Sequence, residues 1–151
     1  MKDNYYMAND YKSWFDRAKS NLAISKNKSD GDIFYEDLCF QAQQAVEKAL
    51  KGLIILFKIE PERTHNLVSL IKVLSKLTDI PEEINEVVIL NDYAVQTRYP
   101  GDYTPIDEEE YNNAILIAEK CIQWVEKKAK SLLKKSEENK NQPYLENIES
   151  E

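Results

Sequence analysis

The residues best suited to bind a ligand stand in one short segment of the sequence, residues 97–105. It holds Arg98, Tyr99, Asp102 and Tyr103. An arginine guanidinium is a planar fork that matches the oxygens of phosphate or carboxylate, and tyrosine rings can stack on bases. Because loops on rigid scaffolds often carry binding groups, this pattern predicts a ligand-binding loop.

The same segment also has a purely structural interpretation. Pro100, Gly101 and Pro105 interrupt any helix here and are consistent with a simple turn. In that interpretation Arg98 pairs with a nearby acid and Tyr99 packs into the core. The residue types alone favour the structural interpretation without excluding a binding loop.

Three more polar residues are candidates for the same site: Lys48, Gln44 and His65. Lys48 and Gln44 share one face of a predicted helix with Gln41. His65, the only histidine, comes just before the next helix. The functional interpretation places His65, Lys48 and Arg98 around a bound phosphate.

The structural interpretation of these positions is simpler. His65 then caps the following helix or makes a local hydrogen bond. Glu47 and Lys51 are four residues apart, and such a pair on a solvated helix face contributes roughly a few tenths of a kcal/mol.

Composition excludes several kinds of catalytic site. Gly31, Gly52 and Gly101 lie too far apart to form a glycine-rich phosphate loop. A single histidine rules out a multi-histidine zinc site. Cys39 and Cys121 supply too few thiolates for a structural metal. We therefore expect neither a metal nor a cofactor, and no classical catalytic set.

The charge balance argues against duplex DNA as a partner. The formal net charge is −7, from 27 acids and 20 bases. Residues 137–151 contain five glutamates and one lysine, so this tail accounts for −4 of the total. Non-specific duplex binding needs a basic face to displace counterions, and the rest of the chain is mildly acidic.

No segment suggests export or membrane insertion. The first ten residues lack the apolar core of a signal peptide, and the longest apolar run is Leu53–Phe57. Two isolated cysteines are typical of a reducing compartment. We expect a cytoplasmic protein with no membrane partner.

Apolar residues recur with helical spacing almost throughout, which predicts an all-α fold. We expect an up-and-down antiparallel bundle of four to five helices. The second helix is apolar all round near its end and should be buried either centrally or at a subunit contact, with Gly52 marking a close helix approach. The predicted helices cover about 10–26, 32–58, 66–77, 81–96 and 107–136.

Three helix starts carry specific signals. Asn66 can cap the third helix, and Pro81 suits the first position of the fourth. Asp107 and Glu110 have the spacing of a capping box at the start of the last helix. The predicted organisation is an extension at 1–9, a bundle at 10–136 and an acidic, flexible tail at 137–151.

Three motifs in order resemble one known family. Residues 43–51 read Q-Q-A-x-E-K-A-L-K, residues 64–67 read T-H-x-L, and residues 98–100 read R-Y-P, before a long last helix. Together they resemble the HEPN domain (higher eukaryotes and prokaryotes nucleotide-binding). The resemblance covers about residues 11–133, and the combined motifs are specific although each alone is weak.

The resemblance implies a helical bundle that usually forms homodimers, with one of two functions. Some HEPN proteins are metal-independent ribonucleases, often toxins, whose motif is an arginine, a short polar spacer and a histidine. Others lack that motif, bind a nucleotide or RNA, and often stand beside a small nucleotidyltransferase in a toxin–antitoxin-like pair.

This sequence departs from the ribonuclease motif after Arg98. Tyr103 stands where the histidine is expected, and a phenol with a pKa near 10 is a poor general base at neutral pH. We therefore predict a non-catalytic nucleotide- or RNA-binding module. The alternatives are a ribonuclease toxin that uses Arg98 with Tyr103, and a purely structural dimeric adaptor.

The last helix suggests where a homodimer would form. Ile117 and Trp124 are seven residues apart and lie off its main apolar stripe. A second apolar strip favours a subunit contact there. Packing against the first helix is the alternative.

Overall fold

The protein is described by a computed structural model over residues 10–28, 31–95, 101 and 104–141. The regular elements in these residues are all helical, which confirms the predicted all-α class. They are α1 (Tyr11–Ser25), α2 (Tyr35–Leu56), α3 (Leu67–Ser75), a 3₁₀ helix (Glu82–Tyr93) and α4 (Glu108–Asn141). The predicted extension at 1–9 lies outside the described residues.

Helix α2 is the centre of the bundle, the first of the two positions that its apolar sequence predicts. Every other helix packs against it. In its last turns Leu53 and Ile54 are fully buried and Ile55 is 2% exposed. Burying side chains of this size stabilises the fold by roughly 1.5–3 kcal/mol each. A helix surrounded in this way has little surface left for polar groups, so each polar residue on it is informative.

Helix α1 runs antiparallel to α2. The early residue Phe15 meets the late residue Gly52, and the late residue Asn21 donates to Gln41 Oε1 at 2.7 Å. A Cβ atom on Gly52 would lie 2.6 Å from the Phe15 ring. Glycine therefore allows the two helices to approach closely, as the sequence predicts.

Helix α4 begins at the same end of the bundle as α2. The Tyr111 ring stacks on Tyr35 with centroids 4.8 Å apart. Along the other side, Lys26 of the α1 C-cap pairs with Glu119 at 2.8 Å. Helices α2 and α4 are therefore parallel to each other and antiparallel to α1, as in an up-and-down bundle.

The fourth helix differs from its prediction in type and start. The sequence predicts an α-helix from Pro81 to about residue 96, but residues Glu82–Tyr93 form a 3₁₀ helix with Pro81 as its N-cap. The reason is the spacing of its apolar residues. A 3₁₀ helix has three residues per turn, and its four buried residues recur at intervals of three. They are Ile84, Val87, Leu90 and Tyr93.

The caps predicted at Asn66 and Asp107 are present, but the Glu110 side chain bonds to Tyr93 of the 3₁₀ helix. Asn66 Oδ1 accepts from Val68 N at 3.0 Å, which confirms the cap of α3. Asp107 Oδ1 accepts from Glu110 N at 2.8 Å. The Glu110 carboxylate accepts a hydrogen bond from the Tyr93 hydroxyl at 3.0 Å, so it ties α4 to the 3₁₀ helix.

The last helix corrects the placement of Ile117. The sequence predicts a position off the main stripe, but Ile117 is only 3% exposed and belongs to the core. Trp124 is half-buried and packs against the same core. Helix α4 continues to Asn141, beyond the expected boundary at Ser136. The rest of the expected tail, 142–151, lies outside the described residues.

Among the described helices, none combines the length and apolar character that a membrane crossing requires.

The close contact at Gly52 gives a stability prediction. Replacing Gly52 by Val places methyl groups against the Phe15 ring, so we expect a loss of about 1–3 kcal/mol in the free energy of unfolding. Urea denaturation measures it. Gly31→Val is the matched control, because no atom lies within 4 Å of a Cβ there. Equal stability of the two variants would contradict the close approach.

Candidate functional site

One face of the central helix carries buried polar side chains where apolar ones are expected. Gln43, Glu47 and Lys51 succeed each other at intervals of four on α2, and they are 0%, 3% and 6% exposed. Residues at this spacing lie on one helix face. Buried charges are rare unless they are paired and hydrogen-bonded, so this cluster has to satisfy itself.

The Glu47 carboxylate is the centre of this cluster. Its Oε2 accepts a hydrogen bond from the Lys51 ammonium at 3.1 Å. Its Oε1 lies 2.9 Å from Nδ1 of His65 and accepts from Gln43 Nε2 at 3.3 Å. Lys51 also lies 5.7 Å from the centroid of the Trp14 ring, within cation–π range.

His65 is the exposed member of the cluster. Its side chain is 75% exposed, whereas the Glu47 side chain beneath it is 4% exposed. Gln43 Nε2 also donates to the backbone carbonyl of His65 at 3.2 Å, so the residue is held at two points. Because an ionised carboxylate only accepts, the proton of this contact belongs to Nδ1, and Nε2 is the ring nitrogen left for a ligand.

The loop before α3 places His65 over Glu47. Lys58, at the end of α2, has a φ of 66°, the left-handed conformation that commonly ends a helix. On the other side, Asn91 Oδ1 accepts from Leu67 N at 2.8 Å, and Asn91 Nδ2 donates to Asn66 Oδ1 at 3.1 Å. The end of the 3₁₀ helix is therefore attached directly beside His65.

A second polar group lies next to the first, between α1 and α2. Lys48 Nζ donates to Asn21 Oδ1 at 2.8 Å, and Asn21 Nδ2 donates to Gln41 Oε1 at 2.7 Å. Burial, and then the nearby charge of Arg17, lowers the pKa of Lys48 below its usual value. Gln44 belongs to the first cluster, because its Nε2 donates to Gln43 Oε1 at 2.7 Å.

Comparison with known proteins identifies the fold family. The HEPN domain matches residues 11–140, most of the chain. The chain belongs to the HEPN domain family. No curated protein matches it.

Two solved structures are similar to this HEPN domain. TT1696 from Thermus thermophilus is 32% identical, with a TM-score of 0.69, over 80% of this chain and 98% of that one. ST0689, an archaeal HEPN homologue, is 28% identical, with a TM-score of 0.63, over 79% of this chain and 97% of that one. Both likenesses span nearly the whole of the compared structures.

Of the seven predicted ligand-binding residues, three lie in the described part of the chain and four do not. The candidates Arg98, Tyr99, Asp102 and Tyr103 lie outside the described residues. Within that segment Gly101 is described, and its φ of 93° lies in the region that favours glycine. The structure brings Gln44 and His65 into one network, whereas Lys48 belongs to the neighbouring group.

Sequence reasoning misjudged the ion pair beneath this site. The interpretation of Glu47 and Lys51 as a solvated pair is wrong, because both side chains are buried. Glu47 also contacts a third group, the His65 ring. Sequence reasoning also missed Gln43, Asn21 and Arg17. The available signal was three polar residues at positions 43, 47 and 51, flanked by apolar residues on both sides of the helix.

The cysteines of this HEPN domain are unsuited to nucleophilic chemistry. Cys39 and Cys121 are both fully buried and unpaired with each other. Burial raises the pKa of each thiol to about 12, so both stay protonated at neutral pH. In the described part of the chain, no cluster of acidic, histidine and cysteine residues could hold a metal ion.

The shared carboxylate gives the second prediction. Glu47→Ala leaves the Lys51 ammonium buried without its partner, so we expect a loss of about 3–5 kcal/mol in unfolding free energy. Urea denaturation measures it. Glu126→Ala, which removes an exposed partner of Lys19, should change stability by less than about 0.5 kcal/mol.

The double substitution Glu47→Leu with Lys51→Leu checks the cause. It removes both charges together and should recover most of the lost stability. If Glu47→Ala is no more destabilising than Glu126→Ala, the carboxylate does not hold a buried charge.

Proposed function

We propose that this chain is a non-catalytic HEPN module that binds a nucleotide or an RNA end. The ligand would lie between the exposed imidazole of His65 and the predicted loop that carries Arg98. The proposed ligand-binding residues are those predicted from sequence: Arg98, Tyr99, Asp102, Tyr103, Lys48, Gln44 and His65.

The observation that carries the proposal is an exposed imidazole fixed by a buried carboxylate. The Glu47–His65 contact of 2.9 Å sets the orientation of a ring that is otherwise open to solvent. A binding group held in place before the ligand arrives loses less entropy on binding. A surface histidine with no partner would supply no such advantage.

The described ends of the Arg98 segment support a shared site. The segment follows Asn91, which bonds to Asn66, the residue after His65. Arg98 is seven positions after Asn91, a reach of at most about 25 Å in an extended chain. The segment returns at Ile106, whose N donates to Glu36 Oε1 at 2.9 Å near the start of α2.

The absence of cleavage follows from the missing histidine. In the HEPN ribonuclease motif a histidine follows the arginine, and here Tyr103 occupies that position. The only histidine belongs to another element and is bonded to Glu47. Arg98 is therefore proposed as a phosphate-binding residue and not as half of a catalytic pair.

RNA cleavage is the second candidate, and one observation favours it. A histidine whose Nδ1 faces a carboxylate has a free Nε2 that can accept a proton, for example from a ribose 2′-hydroxyl. In that case His65 would replace the expected motif histidine, and Arg98 would stabilise the phosphate. This differs from the version in which Tyr103 is the base.

Two partner proposals come from the family resemblance. The module would pair with a small nucleotidyltransferase, as in toxin–antitoxin-like pairs. It would also form a homodimer. Because Ile117 is buried within the chain, Trp124 is the remaining candidate for the predicted homodimer contact on α4. Its side chain is already half-buried.

A nucleotide screen tests the binding proposal. ATP, AMP and a 5′-phosphorylated oligoribonucleotide are added to the purified protein and the thermal midpoint is measured. A ligand at 100 times its Kd should stabilise the folded state by about 2.7 kcal/mol. His65→Ala and Arg98→Ala should weaken the shift, whereas the exposed Lys120→Ala control should keep it.

The same samples test cleavage. With EDTA present, the oligoribonucleotide should remain intact. Cleavage that is lost in His65→Ala or Arg98→Ala would overturn the non-catalytic proposal in favour of the ribonuclease. No shift with any probe would instead favour the structural adaptor.

Sedimentation equilibrium tests the homodimer. The chain has a mass of 17.6 kDa, so the proposal predicts a species of twice that mass at micromolar concentration. A single species at the mass of one chain would contradict it.

A further inference from the structure

The second polar group forms a strip along the line where α1 meets α2. We call it the α1–α2 strip, and it consists of Arg17 and Asn21 from α1 and Gln41 and Lys48 from α2, with Gln44 of the first cluster beside it on the same face of α2. Arg17 and Asn21 are four residues apart and so lie on one face of α1. Because the two helices are antiparallel, this face meets the α2 residues in sequence, with Asn21 bonded to both Lys48 and Gln41.

The positive charges of this strip have no acidic partners in the described chain. The ion pairs among the described residues involve Lys19, Lys26, Lys28, Lys51 and His65, but neither Arg17 nor Lys48. The Arg17 charge lies close enough to Lys48 to lower its pKa, so the strip places two cations near each other.

Neutral amides hold the Lys48 ammonium in place. Asn21 Oδ1 accepts from it at 2.8 Å, and Asn21 is itself fixed by Gln41 at 2.7 Å. An amide oxygen satisfies one of the three ammonium donors without neutralising the charge. The remaining donors can reach an anion, and Gln44 adds further hydrogen-bonding capacity beside them.

An anion would relieve the electrostatic strain in this strip. Burial and the Arg17 charge both disfavour the charged form of Lys48, and they lower its pKa although Glu47 acts in the opposite direction. A negative group between the two cations would favour the charged form again. A phosphate suits the pair, because guanidinium binds phosphate oxygens bidentately and ammonium acts as a point charge.

We infer that the α1–α2 strip binds a phosphate group of a nucleotide or of a single-stranded RNA end, with Arg17 and Lys48 as its direct ligands. Asn21 is a positioning residue, since it acts through Lys48. The inference rests on the proposed function, because it says where one phosphate of that ligand lies. The strip borders the His65 cluster, because Gln44, on the same α2 face as Lys48, donates to Gln43 Oε1 at 2.7 Å.

Isothermal titration calorimetry at low ionic strength tests the strip. The probes are pyrophosphate, ADP, and one oligoribonucleotide prepared with a 5′-phosphate and with a 5′-hydroxyl. The variants are Arg17→Gln, Lys48→Gln and the double substitution. Lys19→Gln is the matched control, because it removes the same charge from α1 at an exposed residue that faces Glu126.

We expect each single substitution to weaken binding of ADP and of the 5′-phosphorylated RNA by roughly tenfold, and the double substitution by more. The control should change affinity by less than about twofold. The 5′-hydroxyl RNA should bind wild type more weakly than the phosphorylated form. Thermal unfolding of every variant confirms that it is folded.

The outcomes separate this inference from the proposed function. If ADP or RNA binds and the Arg17 and Lys48 variants bind as well as the Lys19 control, the strip is not the phosphate site, while the proposed function stands. If pyrophosphate alone binds and depends on Arg17 and Lys48, the strip is an anion site only, so the proposed function fails and the assignment of a nucleotide or RNA phosphate to the strip fails with it. If no probe binds, both fail.

Discussion

The buried carboxylate of Glu47 is the interaction on which the rest of this site depends. Removing a charge from water is expensive, and the cost is offset only when every partner is in place. Here Lys51, Gln43 and His65 all supply hydrogen-bond donors to it. Since three of the four groups lie on α2 and the fourth on the following loop, the arrangement exists only when that loop folds back over the helix.

That constraint extends to the elements that surround the site. Holding His65 over α2 fixes the start of α3, where Asn66 caps the helix and Asn91 reaches it from the 3₁₀ helix. The 3₁₀ helix is in turn tied to α4 through Tyr93 and Glu110. The stretch that contains Arg98 therefore begins from an element anchored beside His65. A single buried charge is thus connected, through these hydrogen bonds, to the start of α3, the 3₁₀ helix and α4.

The sequence predicted the features that depend on local patterns. The apolar stripe of α2, the Asn66 cap and the close approach at Gly52 each follow from residue type and spacing. The burial of Glu47 and Lys51 does not, because an i,i+4 pair looks the same whether its face meets water or another element. Ile117 was misplaced for the same reason, since the position of the neighbouring helices decides which side of α4 is covered. The 3₁₀ helix could have been predicted from the three-residue spacing of Ile84, Val87 and Leu90, although the same residues also fit an α-helical stripe.

The Glu47 carboxylate holds the His65 ring so that Nδ1–H donates to it and Nε2 is open to a ligand. His65 is the only histidine, so one set of imidazole ¹⁵N signals reports on it without ambiguity. When the imidazole is neutral, the ring should be the Nδ1–H tautomer in the wild type, and this tautomer should be lost in the double substitution Glu47→Leu with Lys51→Leu, which leaves no buried charge unpaired. A wild-type spectrum showing the Nε2–H tautomer, or one that does not change in the double variant, would contradict this arrangement.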